Sequence, residues 1–302
     1  MGVQLTGRRA VFGFLVAVAI ACTGFTAPVG QFKRAGTGQL NLWVVGDSIA
    51  DGKLETSPGV YIESGGLRTR LYADFTAPQK VLYNFVGTLD TGPGSPTLPN
   101  GHNDGHSGWW TADLGNMLGP AGTGVSDILS HIPTWMPTLG RIDVTVIQVA
   151  TNSVVHCFSL DTSPSDPGYP VFTYAVPPGA GIGACWSGYI GPNPSAPTIF
   201  AFQADVTGAQ QKTAAQIVSV VAAIHAINPA CRVFVNQIPP VVGYENTITL
   251  VNAQLASQLS GVQNAVYVAT NLNNTTDLGP DQEHPTTAGY NKIGDADYAA
   301  LP

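Results

Sequence analysis

The sequence predicts an α/β fold, a three-layer α/β/α sandwich around a five-stranded parallel sheet. Three observations lead there. Five short runs rich in Val and Ile, namely Leu42–Val45, Val81–Val86, Val144–Val149, Arg232–Asn236 and Ala265–Val268, are bounded by Gly, Pro, Asp or Asn. The runs are continuously apolar rather than alternating, as befits strands covered on both faces. Between them lie longer segments with helical spacing, and strands that alternate with helices read as parallel βαβ units.

The helical segments follow in order. Leu67, Leu71 and Phe75 recur at every fourth residue. Ala204–Ile227 sets Ile217, Val220, Val221 and Ile224 on one face, and Thr247–Leu259 and Thr286–Ala300 are two further helices. Such stripes bury one face of a helix against a sheet. Residues 154 to about 200 break the rhythm: Pro and Gly are frequent there, with Tyr, Phe and Trp interspersed. So long an irregular stretch reads as an insertion in a single domain spanning residues 39–302.

Composition narrows the function classes. Of 302 residues, 44% are hydrophobic and only 10% charged, whereas disorder needs the reverse balance. A net charge of -7 without a long basic run excludes the phosphate-neutralising surface of a nucleic-acid binder. No stable protein partner is implied either. Residues 1–38 read as an export signal and N-terminal segment. Arg8 and Arg9 precede an apolar run, Ala10–Ala21, too short to span a bilayer, which ends in an A-x-A cleavage site. The chain is therefore expected to be secreted; lipid anchoring through Cys22 is the alternative. Of the four cysteines, Cys157 and Cys185 bracket the irregular segment and are expected to pair. Closing such a loop contributes about 3–4 kcal/mol in the chain-entropy model. Cys231, at the head of an apolar run, is expected to be a buried free thiol. No His/Cys cluster has zinc spacing, so no metal is expected.

Two motifs at opposite ends of the chain carry the chemistry. The first apolar run leads directly into Gly46-Asp47-Ser48. In a parallel sheet a strand's C-terminal end opens onto the ligand crevice, and a serine there begins the next helix with its N–H aimed outward. Near the C-terminus stands Asp281-Gln-Glu-His284-Pro285. A serine hydroxyl needs a base within hydrogen-bond reach, and the base needs a third group to orient it. Three-residue spacing in a tight turn lets Asp281 reach one nitrogen of His284 while the other faces Ser48. Gly108, in Gly105-His-Ser-Gly-Trp109, can offer a backbone N–H to an oxyanion, and Asn152, at the end of the Val144 run, a side-chain amide. Asp47, His106, Trp109 and Trp110 are candidates for lining the substrate cleft, although Asp47 also suits ordering of the turn. His131, His156 and His225 read as surface or packing residues.

These four blocks, G-D-S, a glycine, an asparagine and D-x-x-H, occur in the order seen in SGNH (GDSL-type) hydrolases, and the chain resembles that superfamily from about Leu42 to Ala300. The resemblance implies a flavodoxin-like sandwich, a Ser48–His284–Asp281 triad, an oxyanion hole made by Ser48, Gly108 and Asn152, and no cofactor. Within the superfamily the chain is most similar to acetylxylan-esterase-like carbohydrate esterases, through Gly87 and the Gly105–Trp109 stretch. It departs from them at Asp104, where Glu is usual, and at Ala150-Thr-Asn-Ser153, where G-T-N-D is common. The implied activity is hydrolysis of short O-acyl esters on a small molecule or polysaccharide. The alternatives are a lipase or phospholipase on the same scaffold and a non-catalytic carbohydrate-binding protein.

Overall fold

Strand β1 (Leu40–Gly46) shows how the sheet is built: Leu42 and Val44 point to one face, Trp43 and Val45 to the other, and all four are fully buried. Both faces must therefore be covered. In this computed structural model, residues 39–76, 83–109, 111, 127–155 and 206–301 are described, all within one unit, Thr37–Leu301. In chain order the elements are β1, α1 (Ser48–Asp51), β2 (Lys53–Ser57), β3 (Val60–Glu63), α2 (Gly66–Thr76), β4 (Tyr83–Val86), β5 (Leu89–Asp90), β6 (His102–Gly105), α3 (Ile128–Trp135), β7 (Val144–Gln148), α4 (Thr151–Val155), α5 (Val206–Ile227), β8 (Arg232–Asn236), α6 (Glu245–Leu259), β9 (Ala265–Val268) and α7 (Thr287–Ala300). A 3-10 turn, Met136–Thr138, follows α3.

The sheet runs β5-β6-β1-β7-β8-β9, with β4 also paired to β1. β4 lies along Leu40–Trp43 and β6 along Val45 and Gly46, both parallel to β1 on the same side. Together they fill one strand position. The parallel sheet thus has five positions, β4 with β6, β1, β7, β8 and β9, in the flavodoxin-like 2-1-3-4-5 order. β5 adds a short antiparallel edge. One face carries Trp43, Val45, Ile147, Val233 and Val235 under α3, α5 and α6. The other carries Leu42, Val44, Val146, Phe234 and Val268 under α2 and α7. The stripe Leu67, Leu71 and Phe75 of α2 and the stripe Ile217, Val220, Val221 and Ile224 of α5 are buried, as their spacing predicts. Each such side chain contributes about 1.5–3 kcal/mol of burial.

Three elements depart from the expectation. His102–Gly105, outside the five apolar runs, forms β6. Its strand geometry is held by Asp104, fully buried, which accepts from Trp43 Nε1 (2.6 Å), Thr88 N (3.2 Å) and Thr88 Oγ1. Helix α3 forms despite Pro133, because Asp127 caps it through Ser130 N (2.8 Å) and Ile128, Ile132 and Trp135 are buried. The antiparallel hairpin β2–β3 stands apart from the main sheet. The expected Cys157–Cys185 bridge, Cys22, Trp110 and nearly all of the 154–200 insertion lie outside the described residues. Cys231 is fully buried with a free thiol, 3.3 Å from Thr145 Oγ1. No described helix is long and apolar enough to cross a membrane, and no group of three or more described His, Cys, Asp or Glu residues suits a metal ion.

One buried acid on α7 makes stability depend on pH. Asp297 is fully buried against β8 and accepts only from Asn236 Nδ2 (3.1 Å). Burial pushes its carboxyl from an ordinary 3.8 up to about 8. With the folded value raised, the native state holds a proton that the unfolded chain has released. This stabilisation is complete below about pH 4 and is lost as pH rises through about 8, at roughly 1.4 kcal/mol per pH unit. The Oδ1 atoms of Asn236 and Asp297 have no hydrogen-bond partner, so an amide at position 297 can replace the neutral acid. Asp297→Asn is expected to raise the urea midpoint, and by more at pH 8 than at pH 5. An equal gain at both values would show that Asp297 is ionised in the folded protein.

Candidate active site

Strand register assembles the site at the C-terminal edge of the sheet. Gly46 stands opposite Gly105 on β6 and Gln148 on β7, so the residues after β1, β6 and β7 converge. This is the strand-order reversal where ligands of open α/β sheets bind. Gly46 is required by close approach: a Cβ there would lie 1.7 Å from the Gln148 carbonyl oxygen. Ser48 opens α1 at the first helical position, and Asp47 is its N-cap.

Of the two roles open to Asp47, the structure favours ordering of the turn over lining of the cleft. Asp47 is fully buried, and its two carboxylate oxygens accept from Ile49 N (3.0 Å) and Thr151 N (3.1 Å). Asp47 N donates to Gln148 O at 3.1 Å. The side chain thus clamps the start of α1 to the start of α4. Burial pushes its carboxyl up to about 7, against the pull of the two N–H groups.

The Asp281–His284 turn is closed by Gly279 N to His284 O (2.7 Å) and Thr286 N to Asp277 O (2.8 Å), around a Leu278–Pro285 bridge. Lys292 on α7 anchors its base through Asp277 (2.6 Å). Asp281 Oδ1 accepts from Glu283 N and His284 N, both at 3.0 Å, and Oδ2 lies 2.6 Å from His284 Nδ1. His284 Nε2 lies 2.8 Å from Ser48 Oγ. Ser48 and His284 are 4% and 7% exposed, so the relay is largely shielded from water. Burial opposes charge on both acid and imidazole. For Asp281 the bonds from His284 and the two N–H groups outweigh it and hold the carboxyl below its ordinary value. For His284 the Asp281 bond and charge outweigh it and raise the imidazole above its ordinary value. Ser48, more than 230 residues away in sequence from Asp281 and His284, is brought with them into one hydrogen-bonded line.

The two further candidate donors, Gly108 and Asn152, follow β6 and β7, the strands on either side of β1. Gly108 turns the chain with φ +80°, closing the turn from Trp109 N to His106 O (3.1 Å). The turn bond does not use the Gly108 N–H. Asn152 is 2% exposed and gives one amide hydrogen to Trp109 O at 2.9 Å, which leaves its second for a ligand. Ser153 holds the same loop: its Oγ accepts from Thr111 N and pairs with Thr111 Oγ1, both at 3.1 Å. A serine here ties block to block. Ala150 takes φ +90°, a conformation suited to glycine. Ala150→Gly is therefore expected to stabilise the protein by about 0.5–1 kcal/mol, since relief of the strain exceeds the added chain entropy. Urea denaturation measures this, and a loss of stability would show the strain to be absent.

His106 and Trp109, candidates for lining the cleft, are partly buried in an aromatic stack. Their rings stack at 4.0 Å, and His106 stacks on Trp135 at 4.7 Å, with His131 against both indoles. The His106 N–H donates to Gly46 O (2.9 Å) and its Nε2 lies 3.7 Å from Asp104. The stack fixes the Trp109 backbone, and through its carbonyl the Asn152 amide. His225 packs on the Cys231 carbonyl (3.1 Å). His156 lies outside the described residues. Tyr61 on β3, which the sequence reading passes over, sits edge-on to His284 with ring centroids 5.6 Å apart. The Pro58-Gly59 turn signal between two short β-prone runs was its trace in the sequence.

The fold, a parallel sheet between helical layers with a serine at the end of its first strand, is shared with solved esterases. Among solved structures, the Clostridium thermocellum family 3 carbohydrate esterase is similar with a TM-score of 0.54 and 19% identity, over 87% of this chain and 94% of that one. A family 3 carbohydrate esterase from Talaromyces cellulolyticus gives 0.54 and 16%, over 87% and 96%. The M. smegmatis aryl esterase gives 0.52 and 14%, over 86% and 97%. No family model and no curated protein sequence matches the chain.

Proposed function

We propose that the chain is a serine ester hydrolase that removes short O-acyl groups, acetyl above all, from carbohydrate-type alcohols. The observation that carries this reading is the Ser48–His284–Asp281 line, with contacts of 2.8 and 2.6 Å. His284 Nε2 takes the Ser48 proton as Oγ attacks the ester carbonyl. Asp281 holds the Nδ1–H tautomer and stabilises the imidazolium that forms. The oxyanion is met by the N–H groups of Ser48 and Gly108 and by the free Asn152 amide hydrogen. His284 then protonates the departing alcohol, and water attacks the acyl-enzyme with His284 again as base. Every proton in the cycle moves through side chains already in place, so the chemistry proceeds without a cofactor.

The likeness in fold to enzymes named as carbohydrate esterases supports the substrate class. The N-terminal sequence supports export, the compartment where acetylated polysaccharide is met and where a Cys157–Cys185 bridge would form. The test is a panel of aryl esters from acetyl to long acyl chains, together with acetylated polysaccharide, on the purified mature protein. Turnover falling sharply beyond short chains is expected. A rise with chain length would replace this reading with a lipase, and no turnover of any ester would leave a binding protein.

A further inference from the structure

The β2–β3 hairpin grows directly out of the helix that carries Ser48. Gly52, the C-cap of α1, accepts at its carbonyl from Ser64 N (3.0 Å) and Ser64 Oγ (2.8 Å), which closes the base of the hairpin. The Lys53 carbonyl accepts from the Tyr290 hydroxyl at 2.6 Å, tying the hairpin to α7. Glu55, opposite Tyr61, accepts from Gly59 N at 2.5 Å and holds the turn. A hairpin anchored at its base and to α7, with its turn closed by Glu55, holds its side chains in fixed places. Tyr61 is 40% exposed, with its ring at 69° to that of His284. Lys53 Nζ lies 4.7 Å from its ring centroid. Asp281 faces its hydroxyl, and partial burial followed by that charge raises the hydroxyl above its ordinary value.

The position of Tyr61 has a chemical meaning in an acyl transfer centred on Ser48. The candidate oxyanion donors follow β6 and β7, the strands on either side of β1, whereas His284 comes from the turn before α7. The leaving oxygen must lie at His284 Nε2, because that nitrogen delivers its proton. A partly exposed ring against His284 therefore borders the alcohol half of the ester, not the acyl half. An aromatic face of this kind stacks on another ring, either aryl or the apolar face of a pyranose.

We propose that Tyr61, on the rigid β2–β3 hairpin, forms the subsite for the alcohol half of the substrate and selects alcohols that carry a ring. The inference rests on the ester-hydrolase reading above and adds to it the side of the substrate that is recognised. The test keeps the acyl group constant and varies the alcohol: ethyl acetate, phenyl acetate and an acetylated xylo-oligosaccharide, with wild type, Tyr61→Phe and Tyr61→Ala. Tyr61→Ala is expected to raise KM about five- to tenfold for the ring-bearing esters while changing ethyl acetate by less than about twofold. Tyr61→Phe keeps the ring and is expected to keep the wild-type KM. A KM effect confined to the aryl or to the sugar ester identifies which ring the subsite takes. An equal fall in kcat on all three esters would overturn the proposal and make Tyr61 a residue that merely positions His284 and Asp281. Unchanged constants on all three would overturn it too. Absence of turnover by the wild-type protein would remove the hydrolase reading itself, a different failure from turnover without alcohol discrimination.

Discussion

Ser48→Ala and His284→Ala are each expected to lower ester turnover by about 10⁴–10⁶-fold, and the double variant by no more than either alone. The reason lies in the single line of hydrogen bonds from Asp281 through His284 to Ser48. Groups that act as one unit are not additive, because removing any one leaves the others nothing to act on. Ser48→Ala removes the attacking oxygen. His284→Ala leaves a hydroxyl with no base near neutral pH. Both residues sit at the sheet edge, away from the Leu, Val and Ile core, so folding should be retained, which a thermal melt can check. Steady-state kinetics on an activated acetate ester provide the measurement. Retention of a tenth of wild-type turnover by either variant would remove the triad.

The second large effect is expected at Asn152. Its amide gives one hydrogen to Trp109 O and has one to spare. An oxyanion exists only in the transition state, so loss of a donor to it appears in kcat, whereas loss of ordinary substrate binding appears in KM. Asn152→Ala is expected to lower kcat by about 10²–10³-fold, equivalent to about 3–4 kcal/mol of barrier, with KM little changed. The loop should hold in the variant, because Ser153 still grips Thr111 through two bonds. A kcat within threefold of wild type would leave only the backbone donors of Ser48 and Gly108 to serve the oxyanion.

Much of the architecture is legible in the sequence wherever burial alone decides it. β8 and β9 fall at the boundaries their apolar runs predict, α5, α6 and α7 fall within two residues of theirs, and α2 contains the Leu67, Leu71 and Phe75 stripe. The Asp281–His284 turn is legible because its chemistry depends on spacing within four residues. What escapes the sequence depends on partners far along the chain. β6 has no strand-forming residues and owes its shape to Trp43 and Thr88 meeting Asp104. α3 hides behind Pro133. Asp47 beside Ser48 suggests a cleft residue until Thr151, far along the chain, is seen to claim its second oxygen. His106 and Trp109 carry binding-type side chains, but Trp135 recruits them into a packed stack. No local pattern announces such contacts, since either partner alone is an ordinary turn or surface residue.

The thiol of Cys231 gives the molecule a built-in clock. It is sealed between the sheet and the α5 helix, and burial pushes its pKa up to about 11. Alkylation requires thiolate and access together, and the native state denies both. Labelling of the peptide that contains Cys231, followed by mass spectrometry, should therefore advance only as fast as the β7–β8 core opens. Where reclosing is faster than labelling, the rate reports the opening free energy of that core. Modification at the rate of a free thiol under native conditions would show that the core opens readily. A slow reaction would supply a direct measure of its stability, with no engineered probe.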